Sequence, residues 1–208
     1  MVGGHEKTAP CGAGETALLV MHVQQPTTEM VEASLVDRVA RAIVGARGAG
    51  LPIIYVYTGF RAGYPELSQD APFRNMVVDN SLFIDGVANA VHPKVAPQRG
   101  DPMIRTSRVG AFTGTDLDVI LRAKGIKHLV LTGISTGGVV LSTLIHALES
   151  DYRVTVLSDG CADPDEEKHR VLLKSFAAGA PWFAKTKTID EWVQSLKEVG
   201  SSKRILIR

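Results

Sequence analysis

Six runs of strand length, most of them apolar, recur along the 208-residue chain, five of them followed by a stretch with helical periodicity. They are ALLVMHV from Ala17, LPIIYVYT from Leu51, PMIRTS from Pro102, HLVLT from His128, YRVTVLSD from Tyr152 and AKTKTI from Ala184. Helical spacing follows near 32–47, 116–123, 138–148, 165–178 and 190–198, while a long irregular stretch reaching about 101 follows the second run. Strands this continuously apolar are buried on both faces, and helical crossovers supply the cover. The pattern therefore predicts an α/β fold with a mostly parallel sheet of about six strands. Ligands of such sheets sit at the carboxyl ends of the strands, which directs attention to 22–25, 57–64, 106–112, 133–139 and 159–163.

Length and composition narrow the function classes. At 45% hydrophobic residues the chain is long enough for one core, so a single domain over 1–208 is expected, with 1–14 and 201–208 as loosely held ends. Lys and Arg total 23 against 22 Asp and Glu, and the basic residues lack the aromatic interleaving of a nucleic-acid surface. No nucleic-acid partner is expected. The N-terminus lacks an apolar targeting core, and no run approaches the roughly 18 to 20 apolar residues of a membrane span. A soluble, cytoplasmic protein without a membrane partner is expected. Cys11 and Cys161 form neither a disulfide framework nor a metal cluster, and His92, His128 and His146 lack ligand spacing. No catalytic metal or other cofactor is expected.

The stretch HLVLTGISTGGVVLSTLIHAL passes from strand to helix through Gly133-Ile134-Ser135-Thr136-Gly137, the G-x-S-x-G of a nucleophile elbow. Ser135, Asp159 and His169 follow in the chain order of an α/β-hydrolase triad. The spacing argues against that reading, because Asp159 and His169 flank one helix start instead of ending separate late strands. The other reading has Gly133, Gly137 and Gly138 bring the backbone close to a ligand, with Ser135 supplying an N–H group.

Four blocks, ALLVMHVQQ, RVGAFTGTDLDVIL, LVLTGISTGGVVLSTLIHAL and DYRVTVLSDGCADPDEEKH, resemble the isochorismatase-like (cysteine hydrolase) superfamily, over about 17–192. The resemblance implies a Rossmann-like three-layer sandwich and a homodimer or homotetramer acting on a small-molecule substrate. It also implies a non-proline cis peptide between Ile134 and Ser135, aiming N–H groups at an oxyanion. Amidases of the family use an Asp ending the first strand, a Lys before the R-x-x-A-F block and a Cys opening the helix after T-G-I. Here those positions hold His22, Thr106 and Val139. Loss of the Cys alone is compatible with isochorismatase chemistry, in which a vinyl ether is protonated and water attacks; loss of the Asp removes the acid too.

Removing one member of a buried ion pair costs about 3 to 5 kcal/mol, so losing both charges together spares the fold. What remains is a neutral or conditionally cationic site, with His22 as candidate general acid or base, a hydroxyl at Thr106, and Ser135 and Val139 as N–H donors. Gln24 follows His22 at strand period and Arg108 follows Thr106, so both are candidate substrate contacts. Tyr57 and Phe60 are candidate pocket walls, and Thr136 and Gly138 candidate contacts from the turn. The amidase metal-binding histidines have no match in TGFRAGYPE. Two functions stay open: a hydrolase-like enzyme without a Cys nucleophile, performing hydrolysis or a non-hydrolytic rearrangement, and an inactive family member that binds a metabolite or scaffolds a partner.

Overall fold

All six residues of TALLVM are buried, and consecutive side chains leave the strand on opposite faces. Ala17, Leu19 and Met21 enter one apolar core, while Leu18 and Val20 enter another. A strand that feeds two cores lies in the middle of a covered sheet. The computed structural model describes residues 13–178 and 183–205. In chain order its elements are β1 (Thr16–Met21), α1 (Gln25–Thr28), α2 (Ser34–Gly48), β2 (Ile53–Thr58), α3 (Arg74–Asp79), β3 (Met103–Thr106) and α4 (Leu117–Ala123). They continue with β4 (His128–Ile134), α5 (Leu141–Glu149), β5 (Arg153–Ala162), α6 (Glu166–Ala178), β6 (Lys185–Lys187) and α7 (Ile189–Ile205).

The six strands form one parallel sheet in the order β3-β2-β1-β4-β5-β6. Side chains of α4, α5 and α6 join the core on one face, and those of α2 and α7 join the core on the other. Helix α2 buries Leu35, Val36, Val39, Ala42, Ile43 and Ala46, the stripe that a period of 3.6 produces. Full burial of each larger aliphatic side chain contributes about 1.5 to 3 kcal/mol, so this stripe holds the helix to the sheet. Gly45 lets α7 close in, because a Cβ there meets Val193 Cγ2 at 2.6 Å. Strand order reverses direction between β1 and β4, which places the crevice of the fold over their carboxyl ends.

Four local features depart from the sequence reading. The helix expected from Gly138 is broken at its start: Thr136–Val140 form a five-residue π-turn with Gly138 at φ −104° and ψ −105°, and α5 begins at Leu141. Strand β5 runs three residues past Asp159, because a bulge opposite Leu131 and Gly133 absorbs Gly160, whose carbonyl accepts from the Thr132 hydroxyl. The stretch after β2 is partly ordered by its own small core of Phe60, Tyr64, Leu67 and Val77, and it contains α3. Helix α7 continues to Ile205, past the end near 198 that the periodicity predicts. The expectations for 1–12 and 206–208, Cys11 among them, lie outside the described residues.

Candidate active site

The carboxyl end of β1 is shaped by a backbone constraint. His22 has φ 54°, the left-handed region that L-residues avoid, although His enters it more readily than most. Its N–H donates to Val56 O at 2.8 Å, and its carbonyl accepts from the Thr27 hydroxyl. The chain is thus pinned on both sides of the imidazole. Opposite, Gly133 sits beside Met21 with φ 150°, and a Cβ there falls 2.1 Å from Met21 O. Only glycine lets β4 pass this close to β1 at the crevice.

The His22 ring is buried, and the Thr58 hydroxyl lies 3.1 Å from Nε2 and 3.3 Å from Nδ1. Burial alone lowers its pKa to about 3, so the ring is neutral at neutral pH. Thr58 ends β2 and pairs in register with Thr106 at the end of β3. His22, Thr58 and Thr106 therefore occupy neighbouring strand ends on one rim. Thr58 falls within the 57–64 strand-end stretch that the sequence marks, although nothing in the sequence gives its side chain a role.

The Thr106 hydroxyl is engaged by its own loop. It donates to Gly110 O at 3.0 Å and Arg108 O at 3.1 Å and accepts from Arg108 N, closing the loop after β3. Gln24 is fully buried, and its amide is committed to the protein. Its Oε1 accepts from Thr58 N at 2.8 Å, and its Nε2 donates to Thr58 O, Asn89 O and Asn89 Oδ1. That amide braces β1 against β2 and the 86–92 segment, leaving no donor for a substrate. The pairing spans 65 residues, so nothing local in the sequence announces it.

The turn after β4 forms the other wall. The Ile134–Ser135 peptide is cis. The Ser135 carbonyl accepts from Gly138 N and Val140 N, each at 3.2 Å, which closes the tight turn. Gly138 lies between the Ser135 side chain and Val109. The Val139 side chain is buried in the core shared with α4, α5 and α6, so it offers the site no reactive group. From the β5 side, Asp163 Oδ2 accepts from Gly137 N at 2.8 Å, and Lys168 Nζ pairs with Oδ1 at 2.8 Å. The Thr136 hydroxyl lies 2.8 Å from His169 Nδ1. Ser135, Asp159 and His169 form no relay: Asp159 accepts from Ile189 N and His169 meets Thr136.

The outer candidates scatter. Phe60 packs against Tyr64, with ring centroids 5.6 Å apart, inside the small core of its own segment. Tyr57 is half-buried, and burial raises its phenol pKa. Arg108 is exposed and donates to Glu66 O and Ser107 O, while Arg105 pairs with Glu66 and Asp85. Cys161 is buried on β5, paired in register with Gly133, with its thiol pushed up to about 12 by burial. Among the described residues no group of three or more His, Cys, Asp or Glu is arranged to hold a metal ion.

The rim thus carries an imidazole, a hydroxyl at Thr58 and the backbone of a tight turn that Asp163 supports from the β5 side. Comparison with known proteins adds to this. The isochorismatase domain model matches residues 16–190. Ureidoacrylate amidohydrolase RutB of Yersinia enterocolitica is 34% identical over 64% of this chain, and the match spans just under two thirds, 64%, of that protein. The protein of the same name from Stutzerimonas stutzeri is 30% identical over 88% of this chain and 83% of its own length. Among solved structures, a cysteine hydrolase from Pseudomonas syringae pv. phaseolicola superposes with a TM-score of 0.82 at 21% identity, covering 92% of this chain and 96% of its own. That last likeness concerns the fold.

Proposed function

For a chain that belongs to the isochorismatase family, we propose the function of a small-molecule hydrolase that works without a covalent enzyme intermediate. Relatives named as amidohydrolases support hydrolysis of a small organic molecule. The observation that carries the finer reading is the position of His22. Its ring stands at the strand end where the resemblance places the acid–base group, with the Thr58 hydroxyl 3.1 Å from Nε2. A neutral imidazole accepts a proton from an attacking water, and the turn at Ser135 and Val139 supplies N–H groups to a developing oxyanion. With Val139 in the core and the Cys161 thiol protonated, no side chain at the turn is equipped to form a thioester.

A second reading rests on a specific observation. Burial holds His22 neutral and no counter-charge faces it among the described residues, so protonating the ring during turnover is costly. That favours a family member that binds a metabolite without turning it over. The two readings separate in one experiment: incubation of the protein with a panel of ureido amides, other amides and enol ethers, followed by product analysis and intact-mass spectrometry. Product formation with no adduct on the protein supports the hydrolase. Saturable binding without product supports the silent binder, and a covalent acyl adduct rejects the noncovalent mechanism.

A further inference from the structure

The tight turn at 134–140 separates two regions of the same rim. His22, Thr58 and Thr106 lie on the β1–β3 side; on the β5 side is a cleft of about 770 Å³. Sites for small organic molecules span about 300 to 1,000 Å³, so this cleft has the size of one. Met30, Val31, Cys161, Ala162 and Pro164 supply apolar surface. None of His22, Thr106 and Val139 lines it.

The polar groups of the cleft are unevenly available. Its one arginine, Arg38, has three of its five N–H groups engaged: Nε donates to Asp159 O at 2.6 Å, Nη1 to Ser34 Oγ at 2.9 Å and Nη2 to Glu32. Asp163 is likewise spent on Gly137 N, Asp165 N and Lys168. Acceptors are left over. Glu29 and Glu166 form no ion pair among the described residues, and Asp159 uses Oδ1 for Ile189 N and keeps Oδ2. His169 meets the Thr136 hydroxyl through Nδ1, so its Nε2 is a donor or an acceptor according to the tautomer. With Arg38 paired to Glu32 and Lys168 to Asp163, the carboxylates of Glu29, Asp159 and Glu166 are in excess around an apolar floor.

We propose that this cleft is a second binding site, for a small organic ammonium compound whose apolar body covers Met30, Ala162 and Pro164. The ammonium group donates to Asp159 Oδ2 and is drawn by the carboxylates of Glu29 and Glu166. Through His169 and Asp163 the occupied cleft abuts Thr136 and Gly137, so its ligand touches the support of the turn that walls the His22 site. The inference does not depend on turnover at His22.

The test is titration calorimetry of the full-length protein with hexylamine, 1-hexanol and hexanoate, with the location read from amide chemical shifts. Hexylamine is expected to bind at least about tenfold more tightly than the alcohol, with hexanoate weakest. The shifts should concentrate in 29–32, 158–166 and around Thr136 and His169. Glu29→Gln with Glu166→Gln, both exposed positions, should weaken the amine about tenfold without unfolding the chain. Equal affinity for all three probes, an unchanged double variant, shifts located elsewhere, or no saturable binding up to about 10 mM would each overturn the proposal.

Discussion

A buried imidazole facing no charge stays neutral, and the consequence for His22 has a definite sign. Its folded pKa of about 3 lies below the ordinary value of 6.5, so between these limits the unfolded chain binds more protons than the folded one. The stability contributed by keeping the ring neutral is therefore complete above about 6.5 and is lost as pH falls toward about 3. His128, lowered to about 4 mainly by burial, acts in the same direction. Urea unfolding at pH values on either side of this window should show the wild type losing more stability on acidification than a His22→Gln variant. Equal losses would place the acid sensitivity elsewhere. Cys161 gives a second residue-scale expectation. A buried thiol pushed up to about 12 has almost no thiolate at neutral pH, so in a Cys11→Ser background Ellman's reagent should react only after unfolding. Fast labelling of the folded variant would contradict its burial.

At the scale of elements, the close passage of β4 over β1 rests on Gly133. A methyl group there strikes Met21 O and demands a left-handed backbone from alanine, so Gly133→Ala should destabilise the fold by more than about 2 kcal/mol, measured by chemical denaturation. A change below half that would show that β4 can retreat. Much of this architecture was legible in the sequence. Six strand-length runs and their helices gave the covered parallel sheet, and the residues at the strand ends, His22 and Thr106, do line one rim. Three things were not legible, each for a physical reason. Gln24 looked like a substrate contact because alternation specifies a face but not a partner, and its partners come from the ends of β2 and the 86–92 segment. The bulge in β5 was hidden because Gly160 reads locally as a turn, although tertiary pairing carries the strand through it. The cleft beside β5 depends on Arg38, Asp163 and His169 spending their hydrogen bonds internally, and no spacing in the sequence encodes that.

For the whole molecule, the described residues include no helix long and apolar enough to cross a membrane. The segment after β2 has its own small core and nevertheless leaves Met76 57% and Val87 88% exposed, more apolar surface than a solvated excursion requires. Self-association is accordingly expected, and light scattering across micromolar concentrations should give a mass of at least two chains; a 22.3 kDa particle throughout would reject it. The account as a whole turns on one group. With Val139 facing the core and the Cys161 thiol protonated, the proposed hydrolysis rests on His22. The measurement that tests this most directly compares wild type and His22→Ala turnover on a substrate identified from the amide and enol-ether panel, with folding checked by circular dichroism. The account predicts a loss of about 10²-fold or more in kcat, the scale of general acid–base catalysis, in a protein that remains folded. Full activity in the folded His22→Ala variant would contradict it.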